Sequence, residues 1–305
     1  MDRELIPALR RSLAGGLLLT LAMSGPAMAQ AICSAPHSSP VLAGGGSIST
    51  LPPGTGWAQA SLVGQRSNRF FGPTGERQGF LADGRVHTGS VYLTGAVALI
   101  QGVDAWAQLP VHAFRYADDG GERSRTGIGD VRLALRVSPA LVRVPAIPLA
   151  VRAGVKIPGS DFPVDATLIP LTEGQRDWEV SVESGRAFAP LPVHVVGWVG
   201  YRWREENDEI ARKPGNERFA HLAIGGNLAA TRWGLAADAM WGATPRHFGI
   251  SVPSSRRRLL QLAPTLSRRT GTGDLEITAF VPVSGRNLPS GPSIALGYRV
   301  GWGLP

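Results

Sequence analysis

Polar and apolar residues alternate one by one along most of the chain, and this alternation restricts the chain to folds built from β-strands. The stretch DWEVSVE at 177–183 places its acidic residues and its serine on one face of a strand, and its tryptophan and valines on the other. A strand with one polar and one apolar face needs a polar environment on one side and an apolar environment on the other. The nature of these surroundings decides between a soluble sheet and a membrane barrel.

The alternation recurs in about twelve segments, most of them roughly 11 to 14 residues long. Ordinary strands have about 5 to 6 residues, whereas a tilted strand that crosses a bilayer needs about 9 to 11. The segments are 56–66, 85–101, 103–116, 127–138, 147–157, 175–188, 193–205, 217–230, 232–243, 256–268, 273–284 and 291–302.

The connections between these segments differ in length in a regular way. Those after odd-numbered segments are long, as in ADDGGERSRT after the third, and those after even-numbered segments are short, as in RTGT after the tenth. Short periplasmic turns that alternate with longer outer loops are typical of outer-membrane barrels. We therefore predict an all-β fold, a transmembrane antiparallel β-barrel of about 12 strands, with both termini on the periplasmic side.

The chain before the first segment predicts export and a flexible leader. Residues 1–29 combine three early arginines, a short apolar run and an Ala-Met-Ala tripeptide, which is the pattern of a cleaved signal peptide. Residues 30–55 are rich in Gly, Pro and Ser and have no periodicity, so we expect a flexible segment that partly plugs the lumen. The barrel itself is predicted over 56–305, and the location is the bacterial outer membrane.

Charged residues on the polar faces predict the lining of a water-filled lumen. Neighbouring antiparallel strands would bring Lys156 near Asp177 or Glu179, and Arg152 near Glu183. Such residues either form a salt-bridge ladder that stiffens the wall or a charged constriction that filters solutes. The candidates are Arg132, Arg136, Arg152, Lys156, Asp177, Glu179, Glu183, Arg202 and Arg204.

Three consecutive arginines, Arg256, Arg257 and Arg258, stand where the tenth segment would leave the outer surface. Guanidinium groups at that level can bind the phosphates of lipopolysaccharide through paired hydrogen bonds. A solvated strand end is an equally good interpretation of the same residues.

Aromatic residues recur on the apolar faces at separations that suit two interfacial girdles. Trp178 and Phe188 share one face ten residues apart, which is about 33 Å along the strand and nearer 25 Å across a tilted one. Trp233 and Trp241 repeat this arrangement eight residues apart. We expect such residues to mark the two membrane interfaces.

Several function classes are disfavoured by composition and spacing. The net charge is +8, but the arginines alternate with acids instead of clustering, so no nucleic-acid partner is predicted. Cys33 is the only cysteine, and the six histidines lack metal-ligand spacing, so no metal site is predicted. The glycine motifs RTGIGD and RTGTGD precede no helix and therefore predict no phosphate or cofactor site.

Three short motifs resemble the outer-membrane proteins grouped with the meta-pathway of phenol degradation, which are often labelled transporters. They are Gly127, Gly129 and Asp130 at a strand opening, then Gly174, Gln175 and Asp177, and finally Gly200, Tyr201 and Arg202. The resemblance implies a barrel for the passage of small compounds, hydrophobic or aromatic ones among them. It supplies no binding residues.

The resulting functional hypothesis is a porin-like channel for passive uptake of small-molecule solutes, with outer-membrane lipid and lipopolysaccharide as surroundings. Two alternatives stay open, a non-conducting structural or adhesive barrel and a lipid-modifying barrel enzyme. No catalytic residues are predicted, because the sequence shows no set of a nucleophile, a base and an orienting group. The oligomeric state is left open.

Overall fold

The computed structural model describes residues 50–142, 148–165 and 168–303, so the predicted signal peptide and most of the Gly-rich segment lie outside the described residues. Twelve long strands pair antiparallel in chain order, and β1 pairs with both β2 and β12, which closes the sheet into a barrel. This confirms the predicted fold. The strands are β1 (Gly56–Ser67), β2 (Arg85–Ile100), β3 (Val103–Asp118), β4 (Gly121–Ile128 and Val131–Val137), β5 (Leu149–Ile157), β6 (Asp177–Ala187), β7 (Val193–Arg204), β8 (Glu217–Leu228), β9 (Thr231–Gly242), β10 (Arg258–Thr270), β11 (Gly273–Arg286) and β12 (Ser293–Trp302).

The outward face of the barrel carries a continuous apolar band. Large aliphatic side chains on it are well exposed, for example Leu62 at 57%, Val199 at 62% and Leu222 at 60%. Soluble monomers rarely expose contiguous apolar patches of more than a few hundred Å². Closure of the sheet pairs the strands all the way round the barrel, as a strand-built membrane protein requires. The outward band is therefore a surface suited to acyl chains.

Connections differ in length between the two ends of the barrel. The end with connections 68–84, 158–176, 205–216 and 243–257 is called the loop end, and the opposite end, with connections such as 101–102 and 229–230, the turn end. Short strand pairs extend the wall at the loop end, including Arg69–Phe71 with Leu288–Pro289. Among the described residues there is no helix long and apolar enough to cross a membrane.

The connection between β3 and β4 differs from its prediction. The sequence ADDGGERSRT predicts a long loop, but the two strands continue as a hairpin that turns at Asp119 and Gly120. The backbone N–H of Gly120 donates to the Asp118 carboxylate at 2.9 Å, which closes this turn. Polar and apolar residues do not alternate there, because a hairpin beyond the membrane is hydrated on both faces and needs no apolar face.

Strand β4 is interrupted at Gly129 and Asp130, halfway along the wall. Its first part pairs only with β3, and its second part pairs with β3 and β5. The connection 158–176 covers the resulting free edge, since Arg125 donates to the carbonyl of Ile169 at 3.2 Å. This connection is thus part of the barrel wall and not only a surface loop.

Candidate functional site

The inward face of β4 to β8 is an ionic wall. All nine residues predicted as lumen candidates lie on this face and form ion pairs with residues of other strands. The predicted pairings of Lys156 with Asp177, at 3.0 Å, and of Arg152 with Glu183 are confirmed. Their role in selecting solutes stays a prediction.

The part of this wall nearest the loop end centres on Glu173, which belongs to the connection 158–176. Its carboxylate pairs with Lys156 at 2.7 Å, with Arg257 at 2.9 Å and with Arg204. The alternation of polar and apolar residues could not predict that Glu173 belongs to the wall. Glu173 precedes β6 and reaches the wall only through the fold of its loop. The loop is therefore held inside the barrel mouth by charge.

Burial disfavours the charge of Glu173, but Arg204, Lys156 and Arg257 outweigh this effect and hold the pKa of its carboxyl well below the usual value. Glu173 is consequently the ionised partner of these three cations at neutral pH. An ionised carboxylate is what the surrounding cations require, since an unpaired buried cation is costly.

Two further carboxylates complete this cluster, which we call the upper cluster. Glu217 pairs with Arg202 at 2.7 Å and with Arg204 at 3.1 Å, and Glu179 pairs with Arg202 at 3.0 Å. Its members are Asp130, Arg132, Lys156, Glu173, Asp177, Glu179, Arg202, Arg204, Glu217 and Arg257.

A smaller cluster lies nearer the turn end and is called the lower cluster. Arg136 pairs with Asp104 at 2.8 Å and with Glu183 at 3.6 Å, and Arg152 pairs with the same Glu183. The guanidinium of Arg152 also lies 5.9 Å from the ring centres of both Trp106 and Trp198. Cation–π contacts of this kind place aromatic rings directly beside charge in the lumen.

Both clusters are electrically balanced. The upper cluster contains five acids and five bases, and the lower one contains two of each. A balanced wall presents dipoles to a solute rather than a net charge.

The remaining inward surface is not ionic throughout. Strands β1 to β3 present mainly uncharged polar side chains, such as Gln59, Ser61 and Thr94. Strands β5 and β7 to β10 contribute a buried cluster of small apolar side chains. These are Ala150, Val196, Ala223, Ala236 and Ala263, with Phe280 packed against them. The inward surface thus has an ionic, a polar and an apolar part.

The three arginines predicted to contact lipopolysaccharide do not act together. Arg257 is buried and pairs with Glu173 at 2.9 Å, so lipid phosphates have no access to it, and this corrects the prediction for that residue. Its neighbours Arg256 and Arg258 lie nearer the surface, and Arg256 donates to the hydroxyl of Thr244 at 2.6 Å. Lipid contact of Arg256 and Arg258 stays a prediction.

Two of the motif glycines occupy places where no larger residue fits. A Cβ on Gly129 would lie 2.3 Å from the ring of His112, and one on Gly200 would lie 2.3 Å from the ring of Phe219. The break at Gly129 also brings Asp130 inward, where its carboxylate lies 3.3 Å from the ammonium of Lys156. The motif residues thus shape the wall around the upper cluster.

The described end of the Gly-rich segment lies at the turn end of the lumen. The Thr50 hydroxyl is 2.9 Å from that of Ser138, and the backbone N–H of Leu51 donates to Asp104 at 3.0 Å. Asp104 is a lower-cluster residue and is buried. The chain therefore enters β1 from beneath the lumen, while the rest of the predicted plug lies outside the described residues.

His221 is an inward histidine whose Nδ1 lies 2.6 Å from the Asp238 carboxylate. Its ring stacks on Trp198 at 3.6 Å. Among the described residues, no three His, Cys, Asp or Glu side chains are arranged to hold a metal ion.

Comparison with known proteins identifies the fold. No family model and no curated protein matches the sequence. An outer membrane channel from Pseudomonas putida F1 is similar in structure, with a TM-score of 0.68 and 15% identity over 85% of this chain and 99% of the channel. The toluene transporter TbuX of Ralstonia pickettii matches less well, with a TM-score of 0.41 and 10% identity over 82% of this chain and 90% of the transporter. The chain therefore has the fold of outer-membrane barrel proteins.

Proposed function

We propose that this protein is an outer-membrane channel through which small molecules that combine an aromatic ring with polar groups diffuse passively. The observation that carries the proposal is the inward placement of tryptophans beside balanced ion pairs in a closed barrel of twelve strands. The structural similarity to an outer membrane channel supports it. The loop end then faces the cell exterior and the turn end the periplasm.

The solute class follows from the walls of the lumen. Trp106 is partly exposed inside the barrel, and Arg299 lies 4.9 Å from the ring centre of Trp57. A planar ring can stack on such side chains while its polar substituents reach the ion pairs. The proposal is compatible both with the charged lumen, which favours polar solutes, and with the resemblance to transporters of apolar compounds.

Liposome swelling with two zwitterions of similar size tests the proposal. The purified protein should admit both phenylalanine and leucine, and phenylalanine should pass faster. Trp106→Leu should abolish that preference, because Trp106 is the more exposed of the two inward rings beside Arg152. Trp241→Leu, on the lipid-facing surface, is the matched control and should leave the preference unchanged.

Two results would contradict the proposal. Protein that supports no swelling with any solute, and no conductance in planar bilayers, would indicate the non-conducting structural or adhesive barrel. An unchanged phenylalanine preference in Trp106→Leu would remove the aromatic pathway.

A further inference from the structure

Basic side chains form a row on the outward face at the loop end of β1, β2 and β3. Arg66 lies opposite His87 in the β1–β2 pairing, and His87 lies opposite Arg115 in the β2–β3 pairing. Both arginines are exposed, and Arg85 stands one row further out. Arg66, His87 and Arg115 are each more than twenty positions apart in the chain, and the strand register brings them together.

This sector differs from the barrel rim at β6, β7 and β9. Strands β6, β7 and β9 place Trp178, Trp203 and Trp241 next to their loop ends, as is usual for an aromatic girdle. Arg66 occupies the equivalent position next to the loop end of β1. Cations thus replace the aromatic girdle on this side of the barrel.

The distance of the basic row from the apolar band sets its depth in a membrane. The outermost apolar row of this sector is Leu62, Val91 and Val111, which are register partners. Arg66 is four residues beyond Leu62, about 13 Å along the strand and about 10 Å along the membrane normal once the strand tilt is included. That is the level of lipid headgroups, just outside the hydrocarbon core.

A row of small residues separates the cations from the apolar band. Gly64, Gly89 and Ala113 are register partners, and with Ile294 they line an open depression of about 720 Å³. The depression suits the volume of ligand-binding clefts. A headgroup can therefore approach the backbone below the basic row while acyl chains continue along the band.

Charge complementarity identifies the occupant. The described residues give Arg66, Arg85 and His87 no ion pair, and Glu122, which pairs with Arg115, is the one acid joined to the row. Guanidinium groups bind phosphate through paired, charge-assisted hydrogen bonds. Lipids of the outer leaflet of an outer membrane carry such phosphates at this level.

We propose that this sector is a binding site for the phosphorylated headgroup of lipid A, with Arg66, His87 and Arg115 on the phosphates and the Gly64–Gly89 depression around the headgroup. The proposal rests on the outer-membrane location and is independent of the solute pathway, because every residue of the site faces outward. It involves none of the residues Arg256, Arg257 and Arg258.

Native mass spectrometry of the detergent-solubilised protein tests the site with bis-phosphorylated lipid A as the probe. The double variant Arg66→Gln/Arg115→Gln should weaken lipid A binding at least fivefold. Arg218→Gln should weaken it less than twofold, because Arg218 is also exposed and outward but lies between Tyr201 and Trp241.

A second pair of variants tests the depression without touching charge. Gly89→Leu should also weaken binding at least fivefold, since a Cβ at Gly89 has no protein atom within 4 Å and the added side chain fills the depression. Gly79→Leu is the control, because Gly79 is equally free of neighbours but lies outside the depression. Both variants should fold normally.

Three outcomes would overturn the proposal. They are wild-type binding in the double variant, wild-type binding in Gly89→Leu, and equal competition by phosphatidylglycerol or inorganic phosphate. Swelling rates should be the same in all these variants, so loss of lipid binding and loss of channel activity are distinguishable. Membrane fractionation of the wild type separately tests the outer-membrane location.

Discussion

Arg204 illustrates how strongly single residues in the ionic wall depend on their partners. Its side chain is almost fully buried and pairs with Glu173, with Asp177 at 3.3 Å and with Glu217 at 3.1 Å. Removing one partner of a buried ion pair leaves an uncompensated charge, which costs about 3–5 kcal/mol. A pair at the surface contributes about 0–1 kcal/mol, because water screens its charges.

We therefore expect Arg204→Gln to lower the free energy of unfolding by about 3–5 kcal/mol, because it leaves three acids short of a cation. Urea titration of the folded barrel, followed by tryptophan fluorescence and by gel mobility without heating, measures this. Arg115→Gln is the control, since its pair with Glu122 is exposed, and it should cost less than about 1 kcal/mol. Equal losses in the two variants would contradict a buried ionic wall.

The alternation of polar and apolar residues predicts some residues of the ionic wall and misses others for a physical reason. Lys156 and Asp177 are predictable because both sit on polar faces of neighbouring strands and pair directly. Glu173 and Arg257 are not, since both precede their strands and reach the cluster through loop geometry. The sequence also places Arg257 in a run of three arginines predicted to be exposed, whereas Arg257 is buried in the structure.

At the scale of elements, the connection 158–176 joins the barrel wall to the charged lumen. The hydroxyl of Ser160 donates to the carbonyl of Ile128 at 2.9 Å, and Glu173 anchors the other end of the connection to the upper cluster. Its anchoring charge is resistant to acid because the pKa of Glu173 is depressed. The stabilisation is present above the ordinary carboxyl pKa and is lost only as pH falls through the lower folded value.

Trypsin cleavage after Arg176, an exposed residue just beyond Glu173, reports on this anchor. Glu173→Gln should speed that cleavage several-fold, because the neutral side chain no longer holds three cations. The wild type should be cleaved at the same slow rate at pH 8 and after incubation at pH 5. Glu206→Gln, an exposed acid of the next loop, is the control and should behave like the wild type. Equal cleavage rates in the wild type and in Glu173→Gln would contradict the anchor.

Element boundaries are predictable where a strand has lipid on one side. The predicted segments 193–205 and 217–230 agree with β7 and β8 to within two residues, because the apolar band imposes strict alternation. Beyond the membrane both faces of a strand are wet, and the β3–β4 hairpin therefore gives no alternation to detect. At the break in β4 the outward side changes from even-numbered residues such as Ile128 to odd-numbered ones such as Leu133, so a single alternation pattern does not fit the whole strand.

At the scale of the whole molecule, the barrel inverts the arrangement of a soluble protein. Large aliphatic side chains form the outside, and most of the ionised side chains of β4 to β8 are paired inside. A chain of this kind gains its stability from backbone pairing around a closed sheet and from contact with acyl chains. The proposed channel and the proposed lipid A site both depend on this inversion, one on each face of the same wall.

Spin labels on three successive residues of β6 test the inversion most directly, after replacement of Cys33, the only cysteine, by serine. Labels at Val180→Cys and Val182→Cys should collide with oxygen dissolved in the bilayer and not with a water-soluble nickel complex, since both side chains face outward. A label at Ser181→Cys, on the buried inward face, should show little collision with oxygen. Similar oxygen accessibility at all three positions, or preferential collision of the two valine sites with the nickel complex, would contradict the account.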